Sequence, residues 1–171
     1  TLEATIIDKG VDSKGVYLIL NRSIYYPQGG GQPADTGSIV IQNKYYEVYD
    51  VRHVDGEIRH YISCNLNTCL PQAAQLKINQ ARRMLNTRYH TAGHLIAAVV
   101  ENMDSDISVI KGHQFPGEAY IELTRKPENI DQFMAQLSSQ LTMHIESQIR
   151  VETKIINGDE MQKALENLTY S

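Results

Sequence analysis

Two imidazoles four residues apart, in His90-Thr91-Ala92-Gly93-His94, are the side chains of this chain best suited to chemistry. On an α-helix that spacing puts both rings on one face, one turn above the other. Two neutral imidazoles so placed can bind one divalent metal ion, usually zinc. The spacing matches half of the H-E-x-x-H signature of helical metalloproteases, whose glutamate is the general base. Thr91 stands where that glutamate is needed, so protease chemistry is excluded. The pair is half of a metal site.

A second unusual stretch runs Tyr26-Pro27-Gln28-Gly29-Gly30-Gly31-Gln32-Pro33-Ala34-Asp35-Thr36-Gly37. Three consecutive glycines lose much backbone entropy on folding. They let the backbone approach a ligand or a neighbouring domain closely, or they form a flexible hairpin loop. The sequence leaves both readings open.

Charge is segregated along the chain. The net charge of −4, taken whole, argues against nucleic acid. Yet no Asp or Glu occurs from Ile58 to Val100, where Arg59, Lys77, Arg82, Arg83 and Arg88 give +5, while residues 1–57 sum to −3 and residues 101–171 to −6. The basic window holds the histidine pair and is either a footprint for a polyanion or a set of solvated side chains.

These residues need elements to position them. With 42% apolar and 21% charged residues the composition is that of a globular protein. No run of eighteen apolar residues and no basic-then-apolar opening segment occurs, so neither a membrane span nor a signal peptide is expected. The start at Thr1 rather than Met suggests trimming or a beginning inside a longer protein. Cys64 and Cys69 form a C-x4-C pair, a weak metal signal; two thiols and six histidines suit a reducing, cytoplasmic setting better than a disulfide scaffold.

The first 78 residues read as short strands at Ala4–Asp8, Val16–Leu20, Ile24–Tyr26, Ser38–Ile41, Tyr45–Val51, Glu57–Ile62 and Gln75–Ile78, separated by turn residues. That pattern suggests a small barrel, and most of the eight tyrosines before residue 90 are expected to pack it. Near Asn79 the period becomes helical: Ala81, Met84, Leu85, Ala92, Leu95, Ile96, Val99 and Met103 predict a helix over about 80–103, buried in its second half. A strand at Ala119–Leu123 follows. Pro127 then opens a helix whose face is Ile130, Phe133, Met134, Leu137, Leu141, Ile145 and Ile149. A strand at Val151–Ile156 and a short helix at Asp159–Leu168 complete the reading. The fold class is α+β: a β-barrel over 1–78 with the glycine-rich loop, then a two-layer α+β domain over 79–171.

Together the Y-P-x-G-G-G-Q-P-A-D-T-G run and the R-R-x-x-x-x-R-x-H-T-A-x-H-L run resemble the editing domain of alanyl-tRNA synthetases. They resemble still more its free-standing AlaX-type relatives with an N-terminal barrel. The resemblance covers nearly the whole chain. It implies a zinc-dependent hydrolase that deacylates mischarged Ser-tRNA(Ala) or Gly-tRNA(Ala), with the tRNA(Ala) acceptor end as partner. It also implies that His90 and His94 bind one zinc ion. The ion's remaining ligands, in a C-x-x-x-H motif, are expected beyond residue 171, since no C-x-x-x-H occurs here and the chain ends at Tyr170-Ser171. The 171-residue form is therefore expected to be truncated, with weak or absent metal and no reliable catalysis.

The resemblance also distributes further roles. After the metal helix it places a polar residue against the amino acid, near Ile110, Lys111, Gly112 and His113. Thr91, with a hydroxyl beside the substrate, and His113 are the catalytic candidates. Gly29, Gly30, Gly31, Gln32 and Lys111 are the candidate substrate contacts; the acid-free window, rather than the resemblance, makes Lys77, Arg82, Arg83 and Arg88 the expected phosphate contacts at the acceptor end. No acid lies in the helix near His90, so a general base must come from elsewhere. Because serine exceeds alanine by one hydroxyl, selection must come from a polar group, which can reject an analogue lacking the hydroxyl by roughly 10⁴-fold. A non-catalytic tRNA-binding domain or a synthetase fragment is the alternative.

Overall fold

A computed structural model describes residues 1–63, 70–151, 155–158 and 160–162. Six strands, β1 (Leu2–Asp12), β2 (Gly15–Leu20), β3 (Gly37–Ile41), β4 (Lys44–Val54), β5 (Glu57–Ile62) and β6 (Gln72–Ile78), close into an antiparallel barrel in the order β1-β2-β5-β4-β3-β6. Alternation along the strands sends Ile6, Leu18, Ile39, Val48, Val51 and Leu76 into the interior, where none has exposed surface. Closure leaves no unpaired edge, and bulges at Ile6/Asp8 in β1 and Val48/Asp50 in β4 bend the long strands around it.

The segment Ile24–Tyr26, expected as a strand, is a loop. Its backbone groups bond to the far end of the glycine-rich run: Tyr26 N donates to Asp35 Oδ2 (2.7 Å) and Asp35 N donates to Tyr26 O (3.0 Å). Tyr25 and Tyr61 are buried, as expected of barrel packing, whereas Tyr45 is 74% exposed.

Helix α1 (Gln80–Met103) follows β6 after Asn79, which caps it by accepting from Arg82 N at 3.0 Å. Val99 and Val100 in its second half are buried; Met84 and Leu85 in its first half are half exposed. A two-stranded sheet of β7 (Val109–His113) and β8 (Tyr120–Leu123) packs on α1. Helix α2 (Ile130–Glu146) begins at the Asn129 cap rather than at Pro127, and it ends before Ile149. Phe133, Leu137 and Leu141 join Val99, Val100 and Ile107 in a second core, while Ile130, Met134 and Ile145 of the expected apolar face are exposed.

The strand expected at Val151–Ile156 does not form at Val151, Ile155 or Ile156; residues 152–154 lie outside the described residues. Of the expected Asp159–Leu168 helix, residues 160–162 are helical, as is Gly158; Asp159 and residues 163–168 lie outside the described residues, as do Cys64 and Cys69. Among the described residues no helix is long and apolar enough to cross a membrane.

Candidate functional site

The site is assembled where the glycine-rich loop meets α1. Asp35, with no exposed surface, accepts Arg83 Nε at 3.0 and 2.9 Å on its two oxygens and also bonds Arg83 Nη2. Arg83 Nη2 also donates to Ile24 O at 2.7 Å, and Arg82 Nε donates to Ala34 O at 3.1 Å. Both arginines fasten the first turn of α1 to the loop. They were expected to contact tRNA, but a buried carboxylate and backbone carbonyls already hold their guanidinium groups.

The triple glycine makes a tight hairpin. Gly29 and Gln32 exchange backbone hydrogen bonds (3.2 and 3.0 Å), with Gly30 and Gly31 at φ +56° and +77° between them. Positive φ at both central positions is the two-residue hairpin turn that glycine favours. The hairpin is docked, not free. Gly31 O accepts from Gln114 N at 2.8 Å, and a Cβ on Gly31 would lie 2.5 Å from Gly112 O. The loop therefore joins barrel to β7, and close backbone approach is the reason for its glycines.

His90 and His94 lean over this hairpin. Their Nε2 atoms are 3.0 Å apart and their rings 4.7 Å apart. Between them, Gly93 is buried against the Gln114 carboxamide, with which any Cβ would collide. Gly30, Gly31, His90, Gly93, His94, Glu101, Lys111 and Gln114 line a cavity of about 460 Å³, floored by Ala97, Val109 and Ile121. That is within the range of small-ligand sites. Burial, and then the neighbouring His94 imidazole, hold the His90 pKa below its ordinary value. At neutral pH its ring is uncharged, the form that binds a metal or accepts a proton.

Of the candidates, Gly30, Gly31, His90, His94 and Lys111 come together on the cavity; Gly29 and Gln32 close the hairpin behind it. Thr91 is exposed and does not line it. His113 faces away, stacked on Phe115 (4.2 Å) and Tyr120 (5.1 Å), with Nε2 3.6 Å from Glu118. Lys111 Nζ is paired with Glu122 at 3.0 Å. Lys77 and Arg88 are exposed and, among the described residues, make no ion pair.

Two lining residues were not anticipated. Gln114 lies one position past the window taken for the polar contact. Glu101, two turns beyond His94 on α1, supplies a carboxylate to the cavity, although no acid lies in the helix near His90; its Oε1 accepts from Val109 N at 2.9 Å. A glycine flanking a histidine one turn from its partner was the available signal for close packing on α1.

The donor set fits half of a metal site. Two imidazole nitrogens converge, but among the described residues no group of three His, Cys, Asp or Glu side chains gathers to hold an ion.

Part of this architecture is similar to known proteins that charge or edit alanyl-tRNA. A family profile described as tRNA synthetases class II (A) matches residues 3–82, the barrel and the first turn of α1. An alanyl-tRNA editing protein AlaX-M of Methanosarcina barkeri is 38% identical over 104 residues, 58% of this chain and 42% of the relative. An alanine–tRNA ligase of Haloquadratum walsbyi is 32% identical over 104 residues, covering 61% of this chain and 11% of the ligase. One from Methanoregula boonei is 39% identical over 88 residues, half of this chain and 9% of the ligase. The chain thus spans less than half of the editing protein and about a tenth of the ligases.

Proposed function

We propose, from the premise that this chain is kin to the alanyl-tRNA synthetases and AlaX-type alanyl-tRNA editing proteins, that it hydrolyses the ester of tRNA(Ala) mischarged with serine or glycine. One observation carries the reading: Gly30 and Gly31 of the barrel loop and His90 and His94 of α1, far apart in sequence, converge on a single cavity. The same two motifs carry the sequence resemblance, so the cavity is built from the residues that point to editing.

His90 and His94 would hold a zinc ion there. Bound zinc would polarise the ester carbonyl or lower the pKa of a water to about 7. The chain's own residues do the recognising. The Gln114 carboxamide, pinned on Gly93, is the neutral polar group that can hydrogen-bond the serine hydroxyl and be left unpaired by alanine. Glu101 is, among the described residues, the one carboxylate lining the cavity, and it complements the α-ammonium of the aminoacyl group. Lys77 and Arg88, exposed in the acid-free window, would meet phosphates of the acceptor end.

A second reading, a tRNA-binding module without catalysis, is favoured by the pair of ligands where a catalytic zinc site has three. Deacylation of Ser-tRNA(Ala) and Ala-tRNA(Ala) by the chain, with added zinc and with chelator, separates the two. Zinc-dependent release of serine but not alanine, lost in His90→Ala, supports hydrolysis. Binding of tRNA(Ala) with no deacylation supports the second reading.

A further inference from the structure

Three buried polar atoms one turn apart on α1 have no hydrogen-bond partner among the described residues: Asn86 Oδ1, Asn86 Nδ2 and His90 Nδ1. Asn86 has no exposed surface. A fully buried amide with neither end paired is rare in folded proteins, because its desolvation is uncompensated. Asn86 and His90 stand at i and i+4, so their Cβ atoms are neighbours on one helix face. Helical side chains lean toward the N-terminus, which brings the His90 ring back over the turn that carries Asn86.

We propose that Asn86 is a positioning residue for His90: its Oδ1 holds the His90 Nδ1–H through one enclosed water, and so leaves Nε2 bare toward the cavity. This rests on the reading of His90 as a cavity ligand, since a ligating or proton-accepting Nε2 must carry no hydrogen. It also gives a direction to the close contact with the second imidazole. In the metal-free chain, with His90 Nε2 bare, His94 Nε2–H is the donor across the 3.0 Å between them, a hydrogen that His94 would surrender to ligate a metal. The apolar alternative at position 86 would pack as well but would leave the imidazole free to carry its proton on Nε2, the nitrogen the site needs open.

The test is ring-nitrogen NMR of the ¹⁵N-histidine-labelled chain, without metal, at a pH where the imidazoles are neutral. In the wild type the His90 Nδ1-protonated tautomer should dominate. In Asn86→Leu the ratio of Nδ1–H to Nε2–H at His90 should fall roughly tenfold, the effect of one buried hydrogen bond. Asn86→Asp, which keeps the acceptor, should retain the wild-type tautomer. A merely structural Asn86 would change stability and leave the tautomer ratio alone. A bare Nδ1 at His90 in the wild type, or an unchanged ratio in Asn86→Leu, overturns the proposal. Should Asn86→Leu fail to fold, the wild-type tautomer and Asn86→Asp decide it. Because no tRNA or activity enters the measurement, its failure is separate from failure of the editing reading.

Discussion

Gln114 shows what is and is not legible one residue at a time. His90 and His94 announce themselves by type and spacing, and Gly29-Gly30-Gly31 by composition. Gln114 has no such mark. It reaches the cavity because its backbone N–H bonds Gly31 O and its side chain fills the space that Gly93 leaves on α1. Both partners are remote in sequence, so no local pattern reports them. Two outcomes follow from this packing. Gly93→Ala places a methyl group inside the Gln114 carboxamide; that flexible end should swing out of the cavity, and because Ala also favours the helix by about 1 kcal/mol, stability in denaturant titration should change little. Gln114→Ala should leave serine and alanine less distinguished. The ratio of Ser-tRNA(Ala) to Ala-tRNA(Ala) deacylation rates should fall by at least about tenfold, the contribution of one neutral hydrogen bond. An unchanged ratio would assign the hydroxyl contact to another residue.

At the scale of elements, hydrophobic period and caps located most of the molecule. Asn79 and the apolar spacing place α1 at Gln80–Met103, as the sequence predicts. Strand β7 went unread because Val109–His113 alternates weakly and carries Lys111 and Gly112 in its middle. Ile24–Tyr26 was misread because strand-like residues there serve a loop whose partner is Asp35. The same Asp35 gives Arg83 a structural role that the charge pattern does not reveal: a basic window locates charge but cannot say which cations are already paired. Arg83 and Arg88 should therefore behave differently. Arg83→Ala strands a fully buried carboxylate and should cost about 3 kcal/mol or more of stability, by thermal or denaturant unfolding. Arg88→Ala should leave stability within about 0.5 kcal/mol while lowering the salt dependence of tRNA binding by roughly one phosphate contact. Equal effects of the two substitutions on stability would refute the division.

The whole molecule depends on the barrel, since loop and helix are fastened to it, and the barrel encloses the imidazole of His60. His60 has no exposed surface; its Nδ1 donates to Leu18 O at 3.1 Å and its Nε2 accepts from Ser23 Oγ at 2.7 Å. Those partners fix the neutral ring, and Tyr25 packs on its edge at 5.5 Å. Burial pushes the His60 pKa down to about 4, from 6.5 in an unfolded chain, with the backbone carbonyls only partly opposing it. Between those two values the unfolded chain binds a proton that the folded chain does not. Stability from this group is therefore complete above pH 6.5 and is lost progressively as the pH falls toward 4. The full loss is about 3 kcal/mol, from the 1.36 kcal/mol that each tenfold change in proton affinity represents. Urea unfolding from pH 7.5 down to pH 4.5 should show the slope. In His60→Phe, where Ser23 Oγ still accepts from Tyr25 N at 3.0 Å, the slope above pH 5 should flatten. If wild type and variant lose stability in parallel, the acid sensitivity belongs to groups outside the barrel core, and the neutral imidazole is not what ties the fold to pH.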